Sequence, residues 1–227
     1  MLTFPGFDRV YVLQDPLSTN VYRGRFDTSI DPLAITRGEV TSETPIPIRW
    51  EMGGESPSDV IWTTSAHPLI VHRRVLDLLE ENNLTGWRRY PVEVLDKLGV
   101  VYDDYVGVQI LGRCGVVDLS RSAVTLKHYP GGWFPHLVGH FFDENSWDGS
   151  ALFMHVPDRH GRVSAHILMT EPVRKILSKA QIRNVGYQRL TDVSVSVSTY
   201  RISKADLPHN LQERIAAAYE QQGIPPP

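Results

Sequence analysis

Apolar positions recur twice along the chain in the same order. A shift of 98 positions sets Leu69, Ile70, Val71, Val75, Leu78, Leu79, Leu84 and Trp87 on Ile167, Leu168, Met169, Val173, Ile176, Leu177, Ile182 and Val185. Each copy opens with a short apolar run, continues with apolar residues at i, i+3 and i+4, and closes with a second extended run, Trp87 to Val94 or Val185 to Val193. This pattern predicts a strand, a helix and a strand, used twice. Each helix spans roughly ten residues, too few to be stable alone, so each copy must be held by packing on a sheet. The second copy carries a connection about six residues longer than the first, around Asp158, His160 and Gly161.

The remaining pattern fills in around the copies. Val10 to Leu13 read as a strand stopped by Asp15-Pro16, and Ile46, Ile48, Trp50 and Met52 alternate with polar positions as a half-buried strand should. Residues 16–43 show no sustained period and predict neither helix nor strand. Val60 to Trp62 and Leu69 to Val71 form strands, followed by a helix from Arg73 to Asn82 with Val75, Leu78 and Leu79 buried. Pro91 to Val94 and Val106 to Leu111 are extended, with a hairpin or meander around Lys97 to Asp104. Gly112 and Gly115 flank Arg113 and Cys114, which implies an unusual turn or a close approach. Ala123 to His128 alternate as a strand ended by Pro130-Gly131-Gly132, and the aromatic-rich residues 133–149 read as irregular. Thr170 is placed to cap the second helix, with Pro172 in its first turn. Val193, Val195 and Val197 alternate with serines in the clearest strand pattern of the chain. Asp206 is placed to cap a last helix from Leu207 to Gln222, whose stripe is Leu211, Ile215, Ala218 and Tyr219. No linker separates the copies. The expectation is one α+β domain over 1–227, with mixed or antiparallel sheets, two related strand-helix-strand lobes at 57–94 and 150–193, and a C-terminal helix.

Composition narrows the class without naming a chemistry. A net charge of −3 argues against broad binding to nucleic acid or anionic membranes. The single cysteine, Cys114, can form no internal disulfide, so a reducing compartment and a cytoplasmic location are expected. The N-terminus lacks the signal-peptide pattern, and no run of apolar residues is long enough to span a membrane. There is no Gly-x-Ser-x-Gly, no phosphate-cradling loop and no dinucleotide fingerprint, and no cofactor is expected.

Nine histidines raise a metal reading. His136, His140 and Glu144 are spaced four apart, and on one helix face they would converge on zinc. Pro135 and Gly139 stand against that helix, and surface or core histidines are the simpler alternative. His155, His160 and His166 cluster around the long loop with Asp158 and Arg159, as an acid-base pair would require or as a solvated turn would allow. Cys114 is a nucleophile if Arg113 lowers its pKa, and otherwise a small buried residue. The acidic clusters give a third option. Glu80-Glu81, Asp103-Asp104, and Asp143-Glu144 with Asp148 stand out, the last interleaved with Phe141, Phe142 and Trp147. Acids steer a basic protein partner and aromatics anchor it, so Asp103, Asp104, Phe141, Asp143, Glu144, Trp147 and Asp148 are the candidate contacts.

The stretches SDVIWTTSAHPLIVHRRVLDLLEENNLTGWRRYPVEV, VGVQILGRCGVVD, ENSWDGSALF and NVGYQRL resemble a myxobacterial-type group of bacterial proteins similar to immunity protein family eleven of polymorphic toxin systems. The likeness covers residues 57–193. It implies a cytoplasmic, non-enzymatic protein that binds and neutralises a cognate toxin, and it brings no catalytic residues. His140 stands where an aliphatic residue is expected in that group. A histidine-dependent enzyme or metalloprotein is the alternative the residues leave open.

Overall fold

In a computed structural model, residues 3–18, 20–26, 29–63, 68–200 and 207–225 are described. Strand β1 (Val10–Gln14) is followed by β2 (Arg23–Phe26), helix α1 (Pro32–Thr36) and β3 (Ile46–Met52). The first copy supplies β4 (Val60–Thr63), β5 (Leu69–His72), α2 (Arg73–Glu81) and β6 (Trp87–Tyr90). Between the copies run β7 (Val92–Leu95), β8 (Val101–Tyr102), β9 (Tyr105–Ile110), β10 (Gly112–Cys114), β11 (Ala123–Tyr129) and β12 (Gly132–Val138). The second copy gives β13 (Leu152–His155), β14 (Leu168–Thr170), α3 (Glu171–Lys179) and β15 (Gly186–Arg189), and β16 (Ser194–Ser196) and α4 (His209–Gln221) follow. The fold is α+β, as the periodicities predict. Among the described residues no helix is long and apolar enough to cross a membrane.

The two copies are built alike. In each, the first two strands pair antiparallel, the helix follows, and the third strand stands one place away from the second. The gap is filled by a strand from outside the copy, antiparallel to both neighbours. In the first copy it is β9, between β5 and β6. In the second it is β1, between β14 and β15. The first unit extends through β2, β3, β7 and β8 into an eight-stranded sheet, and the second takes β10 at its edge, parallel to β13. β11, β12 and β16 form a separate three-stranded sheet packed on α4.

Strand alternation assigns each face to a core. Val60, Leu69 and Val71 point with Leu13, Leu152 and Met169 into a central cluster that also takes Val75, Leu76 and Leu79 of α2 and Val173 and Leu177 of α3. Their neighbours Ile61 and Ile70 turn the other way, into a core with Tyr22, Ile48 and Tyr90. Val10, Val12, Phe153 and Leu168 likewise face a third core with Phe7 and Phe142. Burial on both faces is why these strands read as continuous apolar runs.

The turns after the helices tie each copy to the first strand of the other. Trp62 Nε1 donates to Asn184 O (2.8 Å), and Asn184 Nδ2 donates to Val60 O (2.7 Å). In the reverse direction, the amides of Ala151 and Leu152 both donate to Thr85 O (3.1 and 3.0 Å). Asp59, only 4% exposed, accepts from Arg74 Nε (2.8 Å) and from the Arg183 amide (2.7 Å). Burial opposes its ionisation, but the bonds and charges of Arg74 and Arg183 outweigh that and hold the carboxyl below its ordinary range. Asp59→Asn removes the charge from this junction. Because Arg74 and Arg183 are 44% and 74% exposed, both can turn to water. The expected cost is therefore about 2 kcal/mol, that of charge-assisted hydrogen bonds and not of a stranded buried charge. Urea unfolding checks this, and an unchanged midpoint would show that the junction holds without the carboxylate.

Several local expectations need correction. Residues 16–43 contain β2 and α1, the latter capped by Asp31, whose side chain accepts from the Leu33 amide (2.9 Å). The extended run from Trp87 breaks at Pro91 into two strands far apart in the sheet, β6 at one edge and β7 between β3 and β8 near the other. Residues 132–138 form β12, the second strand of a hairpin, and are not irregular. Thr170 sits at the N-cap of α3 but makes no capping bond, whereas His72 Nδ1 caps α2 by accepting from the Arg74 amide (3.2 Å). The valine-serine alternation yields a strand of only three residues, and it joins β12. α4 begins at His209 after Pro208, not at Leu207. Asp206, residues 64–67 of the Thr63 to Pro68 connection, and the last two prolines lie outside the described residues.

Candidate functional site

The acidic-aromatic segment is fixed by its rings. Phe142 is fully buried, edge-on to Phe4 (5.3 Å) and Phe7 (5.1 Å), and Trp147 packs on Phe4 (5.6 Å) and Phe153 (6.1 Å). Phe141 meets Phe7 at 5.1 Å, and the Arg121 guanidinium lies over both rings. The two glycines read as a close approach let neighbouring chain in, Gly112 the start of β13 and Gly115 this segment. A Cβ on Gly112 would lie 2.2 Å from Leu152 O, and one on Gly115 would lie 2.6 Å from Ser146 Oγ. The Gly115 amide donates to that same hydroxyl (2.7 Å).

Asp143, Glu144 and Asp148 all stand exposed on this anchored segment. Asp143 caps a 3-10 turn by accepting from the Asn145 amide (3.0 Å), and Asp148 accepts from the amides of Arg113 (2.7 Å) and Ser150 (3.0 Å). Glu144 lies 3.6 Å from Arg121. Asp103 and Asp104 are also exposed, but in the turn between β8 and β9, where Asp104 O accepts from the Arg73 amide at the start of α2 (2.7 Å). The two acidic groups therefore belong to different sheets.

The histidines divide differently from their spacing. No helix carries His136, His140 and Glu144. His136 is on β12, stacked on Tyr129 with its Nε2 3.2 Å from the Tyr129 hydroxyl; His140 follows the strand; Glu144 opens the 3-10 turn. The convergence that one helix face would have given does not occur, and among the described residues no group of three or more His, Cys, Asp or Glu side chains is arranged to hold a metal ion. His140 instead meets His166, ring to ring at 4.9 Å, with His155 nearby. His160 is exposed, its Nε2 accepting from Arg159 Nε (3.0 Å).

His155 is held from three sides. Its carbonyl accepts from Arg37 Nη1 (2.9 Å), its ring meets Phe142 edge-on (5.5 Å), and its Nδ1 lies 2.8 Å from Gly115 O. A carbonyl only accepts, so Nδ1 carries the proton and the lone pair is on Nε2, which is shielded from solvent with no hydrogen-bond partner. Cys114 Sγ is 3.4 Å from the protonated nitrogen, so this imidazole is not placed to take the thiol proton. Burial raises the Cys114 pKa well above the ordinary thiol value, and the nearby Arg113 does not offset it. Cys114 is thus a buried, protonated thiol, as its setting between glycines allowed.

His140, His155 and His166 line one end of a cavity of about 520 Å³. Its other walls are Val116, Val117 and Leu119 after β10, the loop from Asp158 to Ala165, and Val195 and Thr199. Burial, reinforced by repulsion from the other histidines, pushes His140 down to about 3. Burial pushes His155 down to about 4 against the opposing bond to Gly115. Both rings are therefore neutral at physiological pH. The spacing of His155, His160 and His166 pointed to this loop but included the wrong histidine: His140 belongs to the cluster and His160 does not. Compared with known proteins, the chain matches no protein-family model, and no curated protein matches it.

Proposed function

We propose that this is a non-enzymatic binding protein of the immunity type, which neutralises a cognate bacterial toxin by covering a basic surface on it. The observation that supports this reading is the anchored acidic ledge at residues 143–148. Its rings are locked into a core and its Asp148 amide donates to Arg113 O of β10 (3.1 Å), while its carboxylates stand in solvent. A preordered charged surface loses little entropy on docking, and its field speeds the encounter with an oppositely charged partner. The protonated Cys114 and the orientation of His155 leave no thiol-imidazole pair between those two residues.

The test is calorimetric titration with the toxin encoded beside this gene. Glu144→Lys is the first variant, since the Glu144 side chain, 3.6 Å from Arg121, accepts from no backbone amide among its described contacts, and Asp103→Lys with Asp104→Lys is the second. Where either group lies in the contact, affinity should fall roughly tenfold or more, with a steeper salt dependence in the unmodified protein than in the variant. Unchanged affinity in both variants would move the contact elsewhere on the surface. A neighbouring toxin that forms no complex and is not neutralised on co-expression would overturn the function itself.

A further inference from the structure

We propose that the cavity beside His155 is a binding site for a small, uncharged, mainly apolar molecule. Three observations carry this. First, at about 520 Å³ the cavity is the size of a small-molecule pocket, and its walls are largely aliphatic, including Val116, Val117, Val163 and Val195. Second, its lining is electrically balanced: among the described lining residues, the acid Asp158 and the base Arg162 pair with each other at 2.6 Å. His140 and His155 are buried deeply enough to be held uncharged. An ion entering this space would leave water without gaining a counter-charge, so the site selects against both anions and cations. Third, much of the wall belongs to the connection that distinguishes the second copy from the first. Asp158 builds that loop by accepting from the amides of His160 (2.8 Å) and Arg162 (2.9 Å). Ser164 and His166, 3.3 Å apart, place the polar point of the wall beside the aliphatic surface. The six added residues thus make a concave surface that the first copy, at its shorter length, has no residues to build.

This inference is independent of toxin binding. The probes are a matched pair of dyes: N-phenyl-1-naphthylamine, which is neutral, and 8-anilinonaphthalene-1-sulfonate, the same body with one sulfonate added. Fluorescence titration of the full chain should show saturable binding of the neutral dye at one site. That binding should be roughly tenfold or more tighter than for the sulfonate, the order expected for excluding a charge from a neutral apolar site. Ala165→Trp, which fills the cavity from the loop, should abolish neutral-dye binding with the melting curve retained. Asp158→Asn keeps an oxygen for the loop amides but removes the charge that balances Arg162, and should narrow the preference by roughly threefold or more. Non-saturable binding of the neutral dye, equal or tighter binding of the sulfonate to the unmodified protein, or a folded Ala165→Trp protein that binds as before would each overturn the proposal.

Discussion

Gly86→Ala is expected to destabilise the protein by about 4 kcal/mol or more, lowering Tm by roughly 10 °C for a chain of this length. Gly86 has a φ of +95°, and a Cβ built on it would lie 2.0 Å from Leu152 O and 2.6 Å from Ser150 Cβ. A backbone oxygen cannot swing aside as a flexible side chain would. This oxygen is also held, because the Leu152 amide donates to Thr85 O while the amides of Leu111 and Gly112 both donate to Gly86 O (2.8 and 3.0 Å). Three chain segments therefore cross at one point, where the first copy, β10 and the start of the second copy meet. Relieving the clash means lifting β13 off that crossing, which disturbs both lobes together. Gly161→Ala is the matched control. Its φ is also positive, at +73°, but nothing lies within 4 Å of the added carbon, so only the conformational penalty of about 1 kcal/mol applies. Urea unfolding of the two variants side by side separates steric from conformational cost. Equal midpoints would show that the lobes are not joined through this crossing.

The parts of this architecture that were legible in the sequence are those whose partners are local. The helix stripes at Val75 and Leu79 and at Val173 and Leu177 are written in neighbouring residues and are found where expected, and the alternation from Ile46 holds through Ile48 but fades at the half-buried Trp50 and the exposed Met52. Pairing across the chain leaves no such mark. Periodicity showed a strand at Val10 and another at Val106 but not that each enters the middle of a repeat, because that choice depends on what the other strands leave open. β2 was missed because Arg23 to Phe26 offers only one large apolar residue. Its place between β3 and β4 depends on Gly24, whose missing side chain leaves room for Ile48 Cγ2, 2.5 Å from where a Cβ would be. α1 had a local signal that periodicity does not carry: Asp31-Pro32 marks a helix cap and first residue as well as a turn. The candidate site shows the same division. The extra length of the second copy pointed to the loop that walls the cavity. His140 was instead grouped with His136 by a helical spacing, although its neighbour in space is His166, 26 residues along the chain.

His140 and His155 underlie the second large effect, a loss of stability in mild acid. His140 and His155 are each 1% exposed and must be neutral in the folded state, whereas in the unfolded chain they titrate near 6.5. The folded pKa is lowered, to about 3 for His140 and about 4 for His155, so below 6.5 the unfolded chain binds more protons than the folded one. Stability is therefore complete above 6.5 and falls with pH through the window down to those folded values. Each histidine contributes up to about 1.4 kcal/mol per pH unit, an upper bound set by complete burial of the charge. Asp59 enters later, since a lowered carboxylate loses its contribution only below its ordinary value of 3.8. The window between about pH 4 and 6.5 thus belongs to the histidines. His140→Leu tests this assignment with an uncharged side chain of similar bulk. At pH 7 the variant should unfold at a urea midpoint close to that of the unmodified protein. At pH 5 it should be the more stable of the two by about 1–2 kcal/mol, because the proton-linked penalty of His140 has been removed. Parallel stability curves from pH 7 to 5 would mean that His140 is not held neutral, and with it would go the electrical neutrality of the cavity wall it forms.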